Sequence, residues 1–409
     1  MSLSVRFSIW QNLALIVHDK KARIFSDQQM KEFVFSLRTR LVFGKGRLRE
    51  TGHWATELGE RCLVMVGRGS ARKHGYLDTV LASLRQAGLS SMVYEGVSPN
   101  PRDTEADEAG AAANAGEADF IIALGGGSVM DCAKLAAVVA AEGGRAWDFV
   151  TEARPITKAL PLMAIPTVAA SGSEFGAGAV ISKPEIRQKI GVGSPHIQPK
   201  IALWDPLTTV TLPRKPTMDG AADILSHVLD RWFGGLGESS VADALAVALM
   251  KETVANARRL NRDLSEIHAR ESLALLSSLA ITQLTNLGRG GGFTQHSFEH
   301  VLSGRHDEIS HGSGLAALTS GWLAWMYEIY PGRGDRLDLL WGGDFRKEIL
   351  AWLNEVELSV SLSELGIGED ELADFNEDLW NLYDWSLSSM TKEDTMRIWR
   401  MCLDENRGL

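Results

Sequence analysis

The chain has 409 residues, of which 45% are hydrophobic and 23% charged, the make-up of a soluble globular protein with room for about two domains. Its net charge of -10 argues against nonspecific nucleic-acid binding, and no apolar run reaches the ~18–20 residues that a membrane span needs. Three scattered cysteines, Cys62, Cys132 and Cys402, give neither a disulfide framework nor a thiolate metal site and suit a reducing cytoplasm.

Residues 1–29 are expected to be an extension ahead of the folded protein, or the product of a gene start placed too early. The apolar stretch 9–17 is interrupted by Gln11 and Asn12, and it lacks the basic flank and cleavage site of a signal peptide. Phe33-Val34-Phe35 reads as a short strand. From residue 61 to 141 strand and helix alternate: strand 62–66, helix 74–86, strand 92–94, helix 103–115, strand 120–124 and helix 129–141. Such alternation predicts a parallel sheet with helical crossovers. Residues 160–165 and 201–204 read as further strands. After Pro213-Arg214-Lys215-Pro216 the apolar residues recur at three and four, and windows 242–257, 271–287 and 315–327 read as helices. The expected organisation is therefore a dinucleotide-binding α/β domain over 30–213 and a helical metal-binding domain over 214–409.

Gly125-Gly126-Gly127-Ser128 lies where a buried strand ends and a helix begins. Unpaired N–H groups at the positive end of a helix dipole, with glycines that allow close approach, make a phosphate the expected guest. A second cluster, Gly67-Arg68-Gly69-Ser70, follows the first of the alternating strands, where a doubly wound fold places the adenosine ribose. An acid there would bind the 2′-hydroxyl and a basic residue the 2′-phosphate. No acid stands between Gly67 and Asp78, whereas Arg68, Arg72 and Lys73 do, so NADP is expected over NAD.

Asp223 and His227 stand four apart, as do His296 and His300, and His311 follows. On helices each pair shares one face. Two such pairs in one helical domain point to a shared metal site. Carboxylate and imidazole ligands without thiolate suit Fe2+ or Zn2+. One carboxylate and three neutral imidazoles leave the ion a net charge of about +1, which stabilises an alkoxide.

Taken together, these residues resemble the iron-containing (group III) alcohol dehydrogenases, closest to the branch of NADP-dependent aldehyde reductases and butanol dehydrogenases. The motifs that carry the resemblance are Leu41-Val42-Phe43-Gly44-Lys45-Gly46, the run from Gly125 through Asp131 to Lys134, Pro166-Thr167-Val168-Ala169-Ala170-Ser171-Gly172-Ser173-Glu174, Leu203-Trp204-Asp205-Pro206, Thr211-Leu212-Pro213 and the 223–227 pair. The resemblance spans about nine-tenths of the chain. It implies a Rossmann-like α/β N-terminal domain with a parallel sheet and an all-α C-terminal domain, the architecture of dehydroquinate synthase. It implies metal ligands at Asp223, His227, His296 and His311, and a catalytic His300 beside the nicotinamide. On the cofactor side it implies Gly67, Gly69, Ser70, Asn100, Gly125, Gly126, Gly127, Ser128, Asp131, Thr167, Ser171 and Lys189. The activity implied is hydride transfer between NADP or NAD and a small alcohol or aldehyde, by a cytoplasmic homodimer. The alternative is an NAD- and metal-dependent lyase or cyclase of the dehydroquinate synthase type.

Three departures from the family pattern bear on these expectations. The stretch from His300 to His311 is one residue longer than usual, which makes His306 a competitor of His311. Gly176-Ala177 stands where relatives often carry asparagine. A run of glycines with Arg289, at 288–292, precedes His296.

Overall fold

The structure is a computed structural model and describes residues 30–235, 237–359, 361–383 and 390–404. The expected extension at 1–29 lies outside the described residues. The chain divides into two compact units, one made of Ser36–Thr217 with Arg262–Thr282, the other of Met218–Asn261 with Gln283–Leu409 and the segment up to Phe35.

The first unit is α/β. Six of its strands are β1 (Arg40–Phe43), β2 (Arg61–Gly67), β3 (Ser90–Val97), β4 (Phe120–Gly125), β5 (Leu162–Pro166) and β8 (Ile201–Trp204). They form a parallel sheet in the order β1-β8-β5-β4-β2-β3. Every residue of β4 is buried, which is why it reads as an unbroken apolar run: helices cover both faces. Alternate residues feed two cores. Leu63, Met65, Ile121 and Ala123 join the core that includes the helix Gly127–Glu142. Cys62, Val64, Val66, Ile122 and Leu124 join the one that includes Leu77, Val80 and Leu84 of the helix Tyr76–Gln86. Because the strands are parallel, their C-terminal ends and the loops that follow share one edge of the sheet.

Two features of this unit differ from the sequence expectation. An antiparallel hairpin, β6 (Gly178–Lys183) and β7 (Gln188–Gly193), lies where no strand was expected. Conversely, residues 33–35 form no strand, and Val34 is 90% exposed; apolar β-prone residues become a strand only with a ladder partner, and these have none among the described residues.

The second unit is helical. The windows 242–257 and 315–327 fall inside the helices Ser240–Arg262 and His311–Ile329. From Gly312 to Met326 the latter is buried on all sides, as befits a helix apolar all round. The window 271–287 does not hold as one helix. The helix Ile267–Ala280 belongs to the α/β unit and stops before Thr282, whose hydroxyl donates to the Leu279 carbonyl at 2.6 Å; a separate short turn, Gln283–Asn286, follows. No helix among the described residues is long and apolar enough to cross a membrane.

Candidate functional site

The helix Arg214–Gly234 sets out the site in the helical unit. Asp219, Asp223 and His227 recur at intervals of four, followed by Asp230, so they lie along one side of the helix. All four are buried. Two of them hold other helices. Asp230 accepts from the backbone N–H groups of Thr294 and Gln295, each at 2.7 Å, and of His296 at 3.2 Å, and so caps the helix Gln295–Arg305. Asp219 accepts from the hydroxyls of Ser310 and Ser313, both at 2.8 Å, at the start of the helix His311–Ile329. Gly312 allows that close approach: a Cβ there would stand 2.2 Å from the Asp219 carbonyl oxygen. These contacts bring His296 and His311 to the helix that bears Asp223 and His227.

Three imidazoles converge on one oxygen. Oδ1 of Asp223 lies 3.3 Å from Nδ1 of His227, 3.4 Å from Nε2 of His296 and 3.7 Å from Nε2 of His311. The donor atoms of Asp223, His296 and His311 fall within 4.8 Å of one another. His227 stands just outside that close triad. Its ring stacks on His296 with centroids 4.4 Å apart, and its buried Nδ1 has no hydrogen-bond partner. A buried polar atom left unpaired is costly, and a cation among these four side chains removes that cost. The residues present therefore fit a divalent metal with oxygen and nitrogen ligands.

The far nitrogens of these rings are anchored by carboxylates. His296 Nδ1 lies 2.6 Å from Asp230, and His311 Nδ1 contacts Glu299, a fully buried carboxylate. With Nδ1–H donated outward, the neutral form of each ring offers the lone pair of Nε2 to a metal beside Asp223, the usual arrangement behind metal-bound histidine. His300 Nδ1 pairs with the Tyr383 hydroxyl at 3.0 Å. Its ring stacks on His311 at 5.8 Å, and its ligand atom groups with those of Glu299 and His311. His306 turns elsewhere, with Nε2 on Glu371 at 2.7 Å and Nδ1 on Glu308 at 3.3 Å.

Without a metal the cluster divides its charge unevenly. Burial alone would raise the Asp223 carboxyl, but His227, His311 and His296 hold it well below the ordinary range. Burial pushes His227 down to about 3 against the pull of Asp223. Burial also opposes charge on His296, yet its bonds to Asp223 and Asp230 win and hold it up at about 9. The Tyr383 hydroxyl is raised far above its usual value by burial and the nearby Glu299, so it stays protonated and can donate.

The residues expected on the cofactor side lie in the α/β unit. Residues 125–128 link β4 to the helix Gly127–Glu142. No side chain fits at Gly125 or Gly127, where a Cβ would stand 2.5 Å from Val129 Cγ2 and from Ser171 Oγ. Thr167 N donates to the Gly125 carbonyl at 3.0 Å, which ties the 167–171 loop to the glycine turn. Gly69, with φ +110°, turns the chain after β2 into Ser70. Asn100 and Lys189 are buried. Asp131 is half-buried, and its carboxylate accepts from Ser173 Oγ at 2.5 Å and Val180 N at 2.9 Å, so it secures the hairpin. Sequence reasoning passed over Asp219, Asp230, Glu299 and Tyr383. The first two were discernible as the continuation of the 223–227 spacing; the last two bear on the site only through tertiary contact.

The family model for the iron-containing alcohol dehydrogenases matches residues 38–206, and the model for their C-terminal region matches 217–400. The chain is 33% identical to NADH-dependent butanol dehydrogenase A of Clostridium acetobutylicum over 361 residues, 84% of this chain and 91% of that one. It is 29% identical to the NADPH-dependent aldehyde reductase YqhD of Escherichia coli, over 70% of this chain and 74% of that one. The crystal structure of NADH-dependent butanol dehydrogenase A from Thermotoga maritima superposes with a TM-score of 0.87 at 29% identity, covering 92% of this chain and all of that one. Nothing in the donor set or in these relatives favours the lyase alternative.

Proposed function

Since the chain belongs to the iron-containing alcohol dehydrogenase family and is an alcohol or aldehyde oxidoreductase of that type, we propose that Asp223, His227, His296 and His311 hold its divalent metal, with His300 as the catalytic proton carrier. The observation that carries this reading is the convergence of three imidazole nitrogens on Oδ1 of Asp223. Iron(II) and zinc both suit the donor set. When bound, the metal supplies a Lewis acid for the substrate oxygen, and the nicotinamide dinucleotide supplies or accepts the hydride.

The chain's own residues do the rest. Asp230 and Glu299 keep the Nδ1 protons of His296 and His311, which presents Nε2 of each ring to the site. We assign the substrate proton to Nε2 of His300, because Nδ1 is held by the Tyr383 hydroxyl. Residues 67–70 and 125–128, with Thr167 and Ser171, are assigned to the dinucleotide, the glycines giving the backbone N–H groups close approach to its phosphates. The substrates proposed are short alcohols and aldehydes, after the relatives. The enzyme is proposed to work in the cytoplasm as a homodimer; three free, buried thiols and the exposed Phe33, Val34 and Leu37 support that.

The test combines elemental analysis of protein purified without oxygen with NAD(P)H turnover on a panel of short aldehydes. One equivalent of iron or zinc and metal-dependent turnover are expected, and Asp223→Ala should lose both. A variant that kept its metal and its rate would refute the ligand assignment.

A further inference from the structure

One of the three basic residues that favour NADP, Arg72, pairs with an acid that the sequence placed elsewhere. β2 and β3 run parallel, with Val66 opposite Glu95. The register then slips, so that Gly67 lies opposite Val97 and Gly96 is left over with φ +130°. Glu95 therefore ends up at the same sheet edge as the 67–70 turn, although 28 residues separate it from Gly67 in the chain. The turn leads into the short helix Ser70–Lys73, and from there Arg72 reaches back to that acid. Its Nη2 lies 2.8 Å from Oε2, and its Nε lies 3.1 Å from Oε2 and 3.3 Å from Oε1. This is a fork of guanidinium on carboxylate, the strongest and most directional form of the pair.

Arg68 is engaged as well. Its Nη2 donates to Ser98 Oγ at 2.6 Å and its Nε to the Gly96 carbonyl at 3.4 Å, with the Glu105 carboxylate 4.0 Å away. Two arginines are thus met by two glutamates. A 2′-phosphate brings close to two negative charges. To use Arg72 it must displace a carboxylate that already fills the fork, and it must then sit beside that carboxylate. A 2′-hydroxyl meets no such opposition. A carboxylate has about four lone-pair positions, and the fork leaves room on it for one more donor.

We propose that Glu95 selects the cofactor: it occupies Arg72 and accepts a hydrogen bond from the 2′-hydroxyl of the adenosine ribose, so that the enzyme uses NAD(H) in preference to NADP(H). This rests on the assignment of the 67–70 turn to the ribose side of the dinucleotide. It assigns the discrimination to an ion pair between β3 and the short helix that follows β2, one of whose partners lies outside the turn altogether.

The experiment is a fluorescence titration of the metal-loaded enzyme with NADH and with NADPH, and kcat/KM for each with butanal, for the wild type, Glu95→Gln, Glu95→Ala and the double variant Glu95→Ala/Arg72→Ala. A charge-assisted contact to a phosphate or carboxylate corresponds to about ten- to a hundredfold in affinity. The wild type should favour NADH by at least about tenfold on that scale. Both single variants should bind NADPH at least about tenfold more tightly and NADH less tightly. The double variant should lose the NADPH gain, because Arg72 is then no longer there to receive the phosphate. A wild type that favours NADPH would overturn the proposal, as would single variants that move both cofactors in parallel. If neither cofactor bound the wild type, the dinucleotide assignment itself would fall and this proposal with it. Binding of both with equal affinity would refute only the role of Glu95.

Discussion

Asp223 and its imidazoles carry their charges in an arrangement that has a consequence once the protein is stripped of metal. The folded protein holds the His296 proton up to about 9, against an ordinary value of 6.5. That interaction is fully present below about pH 6.5 and is lost as pH rises through about 9. His227 works in the opposite sense. Its folded value is about 3, so below pH 6.5 the unfolded chain takes up a proton that the folded chain refuses, and stability falls as the solution becomes more acidic. Asp223, held below the ordinary carboxylate range, adds loss only at still lower pH. Chelator-treated protein should therefore show its highest urea midpoint near pH 6.5, with a decline on either side. Adding zinc should flatten the alkaline limb, because a metal on Nε2 of His296 displaces the proton responsible for it. A midpoint that stayed level from pH 6.5 to 9 without metal would show that His296 is not charged in the folded state.

The helix Arg214–Gly234 does two things at once: it contributes two of the proposed ligands, and it caps one of the helices that bring the others and holds the start of the second through two serine hydroxyls. Asp230 joins these roles in one side chain, since it accepts both from the start of the 295–305 helix and from His296 Nδ1. Asp230→Asn keeps the shape but removes the charge that fixes the imidazole tautomer. It should lower metal affinity by about 10–100-fold, the usual cost of losing such a partner, measured by competition with a chelator. Asp219→Asn, which weakens the bonds to the Ser310 and Ser313 hydroxyls, should cost less; equal losses would reduce both residues to holding the helices in place. How much of this the sequence revealed follows from the range of each interaction. The i,i+4 pairs at 223–227 and 296–300 were legible because helical spacing is local. So were β4 and its glycine turn, because a strand covered on both faces is apolar throughout. The β6–β7 hairpin was not, since its connection runs through Pro184 and Arg187, the latter at φ +53°, rather than through a recognisable two-residue glycine turn. Glu299 and Tyr383 were hidden for another reason: both act on histidines that reach them only after the helices pack. Glu95 was missed in the same way, as its bond to Arg72 crosses from β3 to the short helix that follows β2.

At the scale of the whole chain the two assignments fall in separate compact units. All four proposed metal ligands, together with Asp230, Glu299 and His300, belong to the helical unit, while the glycine turns and Glu95 belong to the α/β unit. A ligand stabilises by RT ln(1 + [L]/Kd) the state that binds it, about 4 kcal/mol at a thousandfold excess over Kd. Protection from hydrogen exchange reports where in the fold that energy suppresses opening. Zinc should accordingly slow exchange in the helices Arg214–Gly234, Gln295–Arg305 and His311–Ile329, and NADH should slow it around residues 67–70 and 125–128. The buried strand β4 exchanges only through larger openings and should respond least to zinc. Exchange measured on chelated, zinc-loaded and NADH-loaded protein distinguishes the two footprints. If zinc protected the glycine turns while leaving the three helices unchanged, the metal would not be held where the histidines converge. If NADH protected only the helical unit, the dinucleotide could not lie on the loops at the ends of the parallel strands.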